Sequence, residues 1–212
     1  MSAGEIVVAI VLTLLSYVVG SIPFGVLVAR ATGATDPRTL GSGRTGGTNA
    51  LRAMGRRRAL LVVIGDVLKG AVPVLVARYV TGNAAIEVLC AIAAILGATH
   101  SMFVGFRGGR GVGTSVGTML VIFPPAILVG APVFIGVILV TRYVSLASLL
   151  AITSGAVLVG IWWLAANGTV PFVYPVYATL GTILVWLAHA DNVDRLLHGT
   201  ERRFDLNLLA RD

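Results

Sequence analysis

The sequence predicts an all-α, polytopic integral membrane protein of about seven transmembrane helices, N-terminus outside and C-terminus cytoplasmic. Three observations predict it. Of 212 residues, 57% are hydrophobic and only 12% charged, against about 25% charged in an ordinary soluble domain. Mean hydropathy is +0.93. The apolar residues fall in runs of about 20, the length a helix needs to cross a hydrocarbon core, and the basic residues gather between alternate runs. Such a chain has too little polar surface to cover a soluble core and too much apolar content to stay disordered. Residues 1–212 read as a single membrane-embedded domain, without internal repeats.

The first span is expected over 5–28. It lacks the basic n-region and small-residue cleavage site of a signal peptide, so it reads as a retained helix. A polar stretch rich in Gly and Arg follows over 30–58. The second span, 59–80, contains Asp66 and Lys69. A Thr81-Gly82-Asn83 turn leads to the third, 84–104, and then to the loop Phe106-Arg107-Gly108-Gly109-Arg110-Gly111. The apolar stretch 112–140 is too long for one straight span. Pro124-Pro125 and Pro132 interrupt it, which predicts two short helices turning near the proline pair. A loop at 141–145, a sixth span over 146–165, an Asn167-Gly168 turn and a seventh span over 170–188 complete the bundle. The tail 189–212 is polar and charged.

The net charge is +7, and Lys69 is the only lysine among 16 basic residues. Arg30, Arg38, Arg44, Arg52 and Arg56-Arg57-Arg58 follow the first span. Arg107 and Arg110 follow the third, Arg142 the fifth, and Arg195, Arg202, Arg203 and Arg211 lie in the tail. Basic residues mark the cytoplasmic side, and only Arg78 falls near the opposite face. Charge confined to one membrane face fits anionic lipid or an anionic substrate and excludes nucleic acid as the partner. Cys90 is the single cysteine, so no intrachain disulfide or cysteine metal site can form.

The inward segments also carry small donors. Gly41-Ser42-Gly43-Arg44-Thr45-Gly46-Gly47-Thr48-Asn49 is rich in glycine and hydroxyls, and Ala50-Leu51-Arg52-Ala53-Met54-Gly55 reads as one or two helical turns. A glycine-rich loop opening a helix aims backbone N–H groups at an anion. Arg52, about one turn in, brings a bidentate guanidinium. The bland alternative is a flexible loop whose arginines only orient the chain. The loop 106–111 suits a phosphate between two arginines, though it lacks the G-x-x-x-x-G-K-[ST] spacing of a P-loop. Asp66 and Lys69, three apart, share a helix face. Charges at that depth are usually paired or functional, so they form a structural ion pair or a substrate contact. Ser145 and Ser148 open the sixth span, Ser145 as an N-cap or a site hydroxyl. His189 and Asn192 share a face at the inner end of the seventh. Neither a metal-spaced His/carboxylate cluster nor a G-x-S-x-G motif occurs. Together these groups describe a phosphate-binding site at a membrane surface.

In order along the chain, these segments resemble the bacterial acyl-phosphate–glycerol-3-phosphate acyltransferases, the PlsY-type family. Gly20-Ser21-Ile22-Pro23-Phe24-Gly25 is similar to its first-helix signature, and 41–52 to its G-S-G-N-x-G-A-T-N-x-x-R loop. Asp66-Val67-Leu68-Lys69-Gly70 matches D-x-x-K-G. Residues 105–111 resemble the phosphate loop G-F-K-G-G-K-G, and Arg142-Tyr143-Val144-Ser145-Leu146 the R-Y-V-S-L stretch. The tail from His189 through Asn192 to Gly199-Thr200-Glu201 resembles H-x-x-N-x-x-R-L-L-x-G-T-E. Arg44 stands where the family usually has Asn, Gly47 where it has Ala, and Arg107 and Arg110 replace both loop lysines. Ala98 takes the place of the family's third-helix His.

The resemblance implies acyl transfer from an acyl phosphate to the 1-hydroxyl of glycerol 3-phosphate, giving lysophosphatidic acid and phosphate for membrane phospholipid synthesis. It implies catalytic roles for Ser42, Arg52, Ser145, His189 and Asn192. Substrate binding falls to Thr48, Asn49, Lys69, Arg107, Gly108, Gly109, Arg110 and Gly111, with the 107–110 loop taking the acyl-phosphate head group. The proton would pass to His189 or to the departing phosphate. No cofactor or metal is expected. The partners are glycerol 3-phosphate, acyl phosphate and membrane lipid, and the location is the bacterial cytoplasmic (inner) membrane, multi-pass. Two other readings remain from the residues alone: a membrane transporter for phosphate or an organophosphate, and a scaffold binding anionic lipid through Arg56-Arg57-Arg58.

Overall fold

The computed structural model describes residues 2–205 and 208. Arg211 therefore lies outside the described residues. Among them the chain is all helical, with no strand. The helices are α1 (Ala3–Gly20), α2 (Phe24–Thr32), α3 (Gly47–Met54), α4 (Arg56–Thr81), α5 (Ala84–Thr99), α6 (Val112–Ile122), α7 (Pro125–Thr141), α8 (Val144–Ala165), α9 (Val173–Ala188) and α10 (Ala190–Leu197).

The first expected span is two helices. α1 starts in a capping box, with the Ser2 hydroxyl accepting from the Glu5 amide while the Glu5 carboxylate accepts from the Ser2 amide. It stops at Gly20, and α2 begins only after Ser21-Ile22-Pro23. Pro23 has no N–H to continue the ladder, and its ring excludes the carbonyl a turn earlier. Arg56, Arg57 and Arg58, expected in a loop, form the first turn of α4. The stretch 112–140 divides at Phe123-Pro124 as its prolines suggested, whereas Pro132 stays inside α7.

By length and composition, α1, α4, α5 with the turn after it, and α8 are each able to cross a membrane. α9 reaches that length only with α10, across a 64° bend, and α6 and α7 are shorter apolar helices. α6 is short because it starts inside the bundle, where Gly113 lies against Asp66 of α4. The outward surface is apolar: Leu14, Val76, Leu128, Leu139, Ile161 and Leu164 are all exposed, as hydrocarbon-facing residues should be.

Helix contacts inside rely on small residues, which let backbones approach where lipid gives no hydrophobic drive to associate. A Cβ at Gly97 of α5 would run into the Tyr17 carbonyl of α1. Tyr17 Oη donates to the His100 carbonyl at 2.8 Å, so α1 and α5 stay in register at this end. Val74, Val88, Ile95, Val121, Tyr177 and Val185 join α4, α5, α6 and α9 into one core. At the other end Arg78 of α4 gives Nε and Nη2 to Glu87 of α5, which also accepts from Tyr174 Oη of α9.

Lys69 is buried. Its ammonium lies 2.6 Å from Asp66 Oδ1 and donates to the Ile22 carbonyl at 3.0 Å. One residue thus ties α4 to the break between α1 and α2. Removing one partner of a buried pair costs about 3–5 kcal/mol because the other charge is left alone. Lys69→Met is expected to lower the unfolding temperature in detergent markedly, and Asp66→Asn/Lys69→Met to recover much of the loss. Equal Tm values for Lys69→Met and the parent would contradict this.

Candidate active site

A cavity of about 560 Å³ lies at the end of the bundle where α4 begins and α5 and α9 end. One part is polar, lined by Ser42, Arg44, Thr48, Arg52, Arg110, Ser145, His189, Asn192 and Arg202. The remainder runs between helices past Met119, Ile127, Phe134, Ile152 and Ala178, with few polar groups.

The first glycine-rich loop is shaped by Asn49, which is buried. Its Nδ2 donates to the carbonyls of Pro37, Leu40 and Arg44, and its Oδ1 accepts from the Ser42 amide. Expected to hold substrate, the Asn49 amide is fully engaged in folding the loop. The helix that follows starts earlier than expected, at Gly47, and its N-cap Gly46 offers no side-chain cap. A helix leaves its first N–H groups without intrahelical partners. Gly46, Gly47 and Thr48 all line the cavity, so that positive helix end opens into it.

The second loop works differently from expectation. Gly108 N donates to the Thr99 carbonyl at 3.1 Å and Gly109 N to the Ala98 carbonyl at 2.9 Å. These amides satisfy the last turn of α5 and do not wrap an anion. A Cβ at Gly108 would collide with the Ala98 carbonyl, which is the local need for glycine. Gly108 and Arg107 do not line the cavity, and Arg107 is exposed. The start of α6 instead opens on the cavity. Its N-cap is Gly111, at φ +77° and without a side-chain cap. Val112, Gly113 and Thr114 line the cavity. Ser115 Oγ, also on the lining, is buried without a hydrogen-bond partner.

Arg110 reaches the lining but is already engaged. Nη1 donates to the Ala188 carbonyl and Asp191 Oδ1, both at 2.8 Å, and Nη2 to Asp191 Oδ2 at 2.9 Å. That guanidinium holds the Asp191 carboxyl far below the usual carboxylate range. Lys69 borders the cavity, with its ammonium committed to Asp66 and the Ile22 carbonyl. Arg44 and Arg52 line the cavity half-buried, and among the described residues neither has a hydrogen-bonded partner. Burial pushes both guanidiniums below the ordinary arginine value, with Arg110 adding like charge beside Arg44 and Arg202 beside Arg52.

The remaining predicted residues meet around Glu201. Its Oε1 accepts from Ser145 Oγ at 3.0 Å and Asn192 Nδ2 at 2.7 Å, and its Oε2 from Arg195 Nε at 2.8 Å. With Nδ2 fixed, Asn192 Oδ1 is left buried and unpartnered. His189 Nδ1 lies 2.8 Å from the Val185 carbonyl. A carbonyl only accepts, so Nδ1 carries the proton and Nε2 keeps its lone pair. Burial lowers the His189 pKa to about 4, and the nearby Arg110 charge acts the same way. The imidazole is therefore neutral at neutral pH.

Ser42, Thr48, Asn49, Arg52, Lys69, Gly109, Arg110, Gly111, Ser145, His189 and Asn192 thus border one cavity, and Arg107 and Gly108 lie outside its lining. Sequence reasoning passed over Glu201, although the Gly199-Thr200-Glu201 match included it. Asp191 occupies a variable place in the tail motif and carried no signal.

Comparison with known proteins gives the family. Residues 10–199 match the family described as glycerol-3-phosphate acyltransferase. A glycerol-3-phosphate acyltransferase of Geobacter sulfurreducens is 40% identical over 195 residues, covering 92% of this chain and 97% of its own. One from Thermus thermophilus is 43% identical over 198 residues, covering 93% and 96%. The crystal structure of PlsY (YgiH), an integral membrane glycerol 3-phosphate acyltransferase, is similar in its glycerol 3-phosphate form, with a TM-score of 0.84. That match has 35% identity and covers 93% of this chain and 96% of the other. Its lysophosphatidic acid form gives a TM-score of 0.82 at 32% identity, covering 95% and 98%. The chain is a membrane acyltransferase and belongs to the glycerol-3-phosphate acyltransferase family.

Proposed function

We propose that this acyltransferase uses acyl phosphate as donor and releases lysophosphatidic acid and inorganic phosphate. One observation carries the reading: a single cavity joins two uncapped helix N-termini and the half-buried guanidiniums of Arg44 and Arg52 to an apolar depth. Both substrates bear a phosphate, and the donor also bears a hydrocarbon chain. A helix N-terminus favours a phosphate through its free N–H groups and its dipole. The apolar part of the cavity suits the acyl chain.

The acceptor hydroxyl needs an acceptor for its proton. His189 Nε2 is free and neutral, and Asn192 Oδ1 beside it is an unused acceptor for a second substrate hydroxyl. The 1-hydroxyl oxygen attacks the acyl carbonyl carbon, and the new ester C–O bond forms. The bond from that carbon to the phosphate oxygen breaks, its electron pair leaves with phosphate, and the proton passes to His189. An acyl phosphate is already activated, so holding both substrates in line and stabilising developing charge supplies the catalysis. We place the arginine-rich end at the cytoplasmic face of the inner membrane, with the N-terminus outside and α1 and α4–α9 as seven crossings. The clustering of arginines at this end of the bundle supports that orientation.

Detergent-solubilised protein offered labelled glycerol 3-phosphate with acyl phosphate, acyl-CoA or acylated carrier protein is expected to form lysophosphatidic acid from acyl phosphate. No product from that donor would overturn the donor assignment. His189→Ala is expected to reduce turnover by about 10²–10⁴-fold, the usual weight of a positioned base. Near-normal turnover would give the proton to the departing phosphate instead. Turnover requires neutral His189, so it should persist across neutral pH and fall as pH drops through about 4. An acid limb at the ordinary imidazole value of 6.5 would contradict the buried environment.

A further inference from the structure

The cations at the cavity mouth are not equivalent. Arg110 is engaged, since Asp191 accepts from both of its terminal nitrogens and the Ala188 carbonyl accepts from one. Arg195 is engaged by Asp191 and Glu201. Arg44 and Arg52 are half-buried on the lining, with no hydrogen-bonded partner among the described residues. A guanidinium taken partly out of water beside like charges is unfavourable unless an anion completes its surroundings.

The two also face different neighbours. The charges around Arg44 are Arg110, Asp191 and Arg107, whereas those around Arg52 are Arg202 and Glu201. Packing agrees: Gly109 lies against Thr45 and Gly46, so the loop carrying Arg44 rests on the segment that leads into α6. Arg44 therefore belongs to the α6 end of the site, and Arg52 to the end formed by the tail.

We propose that Arg44 binds the donor phosphate at the start of α6, where Asp191 holds the fork of Arg110. This rests on acyl phosphate being the donor. Asp191 then sets which arginine meets the substrate, because its carboxylate occupies Arg110 as a phosphate would.

Steady-state kinetics with each substrate varied separately test this. Arg44→Gln is expected to raise KM for acyl phosphate about 10-fold, the loss of one charge-assisted contact, with KM for glycerol 3-phosphate within about twofold of the parent. Arg44→Lys, keeping charge without the fork, should lie between. Adding Asp191→Asn to Arg44→Gln frees Arg110 and should recover most of the loss. An unchanged acyl-phosphate KM in Arg44→Gln, an equal rise for both substrates, or no recovery on adding Asp191→Asn would each overturn the inference. Labelling of Arg44 by phenylglyoxal in the unaltered protein gives a second measurement. Inorganic phosphate is expected to slow it, and an unchanged rate would also overturn the inference. A parent protein inactive with acyl phosphate would fail the donor reading. An active parent with an unaffected Arg44→Gln variant fails this inference alone.

Discussion

Two helices begin in the same cavity, each at a glycine that provides no side-chain cap. Those uncapped starts are the constraint from which the rest follows. A buried helix end needs partners for its first N–H groups, and within an apolar bundle only a bound anion or water can supply them. To bring both starts together the chain must turn sharply twice. Asn49 accomplishes the first turn by bonding four backbone groups of its loop. The amides of Gly108 and Gly109 accomplish the second by returning to the last carbonyls of α5. The groups that first look like substrate ligands are therefore engaged in shaping the loops, and the helix starts that open on the cavity lie nearby along the chain.

Carboxylates divide the positive charge in the same way. Glu201 gathers Ser145, Asn192 and Arg195, so the start of α8, α10 and the tail act as one wall. In doing so it fixes the orientation of the Asn192 amide and leaves Oδ1 facing no protein donor. Asp191 bridges Arg110 and Arg195. A site with every arginine paired would bind anions weakly, and one with none paired would repel itself in a medium that screens poorly. The observed division keeps the wall neutral and leaves Arg44 and Arg52, half-buried on the lining, without hydrogen-bonded partners among the described residues.

Much of this was legible in the sequence. The apolar runs, the one-sided arginines and the proline pair at Pro124-Pro125 located the helices, because lipid demands long apolar segments and proline interrupts them. The meeting of the two glycine loops with Ser145, His189 and Asn192 was also readable, since each motif falls at the same end of its helix. Three features were not. Pro23 divides the first apolar run although hydropathy is continuous across it. The partner of Arg110 is a residue 81 positions away, and spacing says nothing about such a distance. Gly-Gly in the second loop has the same composition whether its amides face a phosphate or a helix end, and only the position of the α5 carbonyls decides.

The shape of the cavity follows from where α6 begins. Had α6 started at the membrane surface, its N-terminus would face solvent and its anion-binding power would be screened. Starting against Asp66, it carries that terminus into the bundle, and the Lys69 ammonium must neutralise the Asp66 carboxylate or the terminus would face a negative charge. The pair that holds α4 to the α1–α2 break thereby keeps the start of α6 favourable to an anion. This joins fold and chemistry in one contact: the lysine does not need to touch a phosphate to determine whether one can bind.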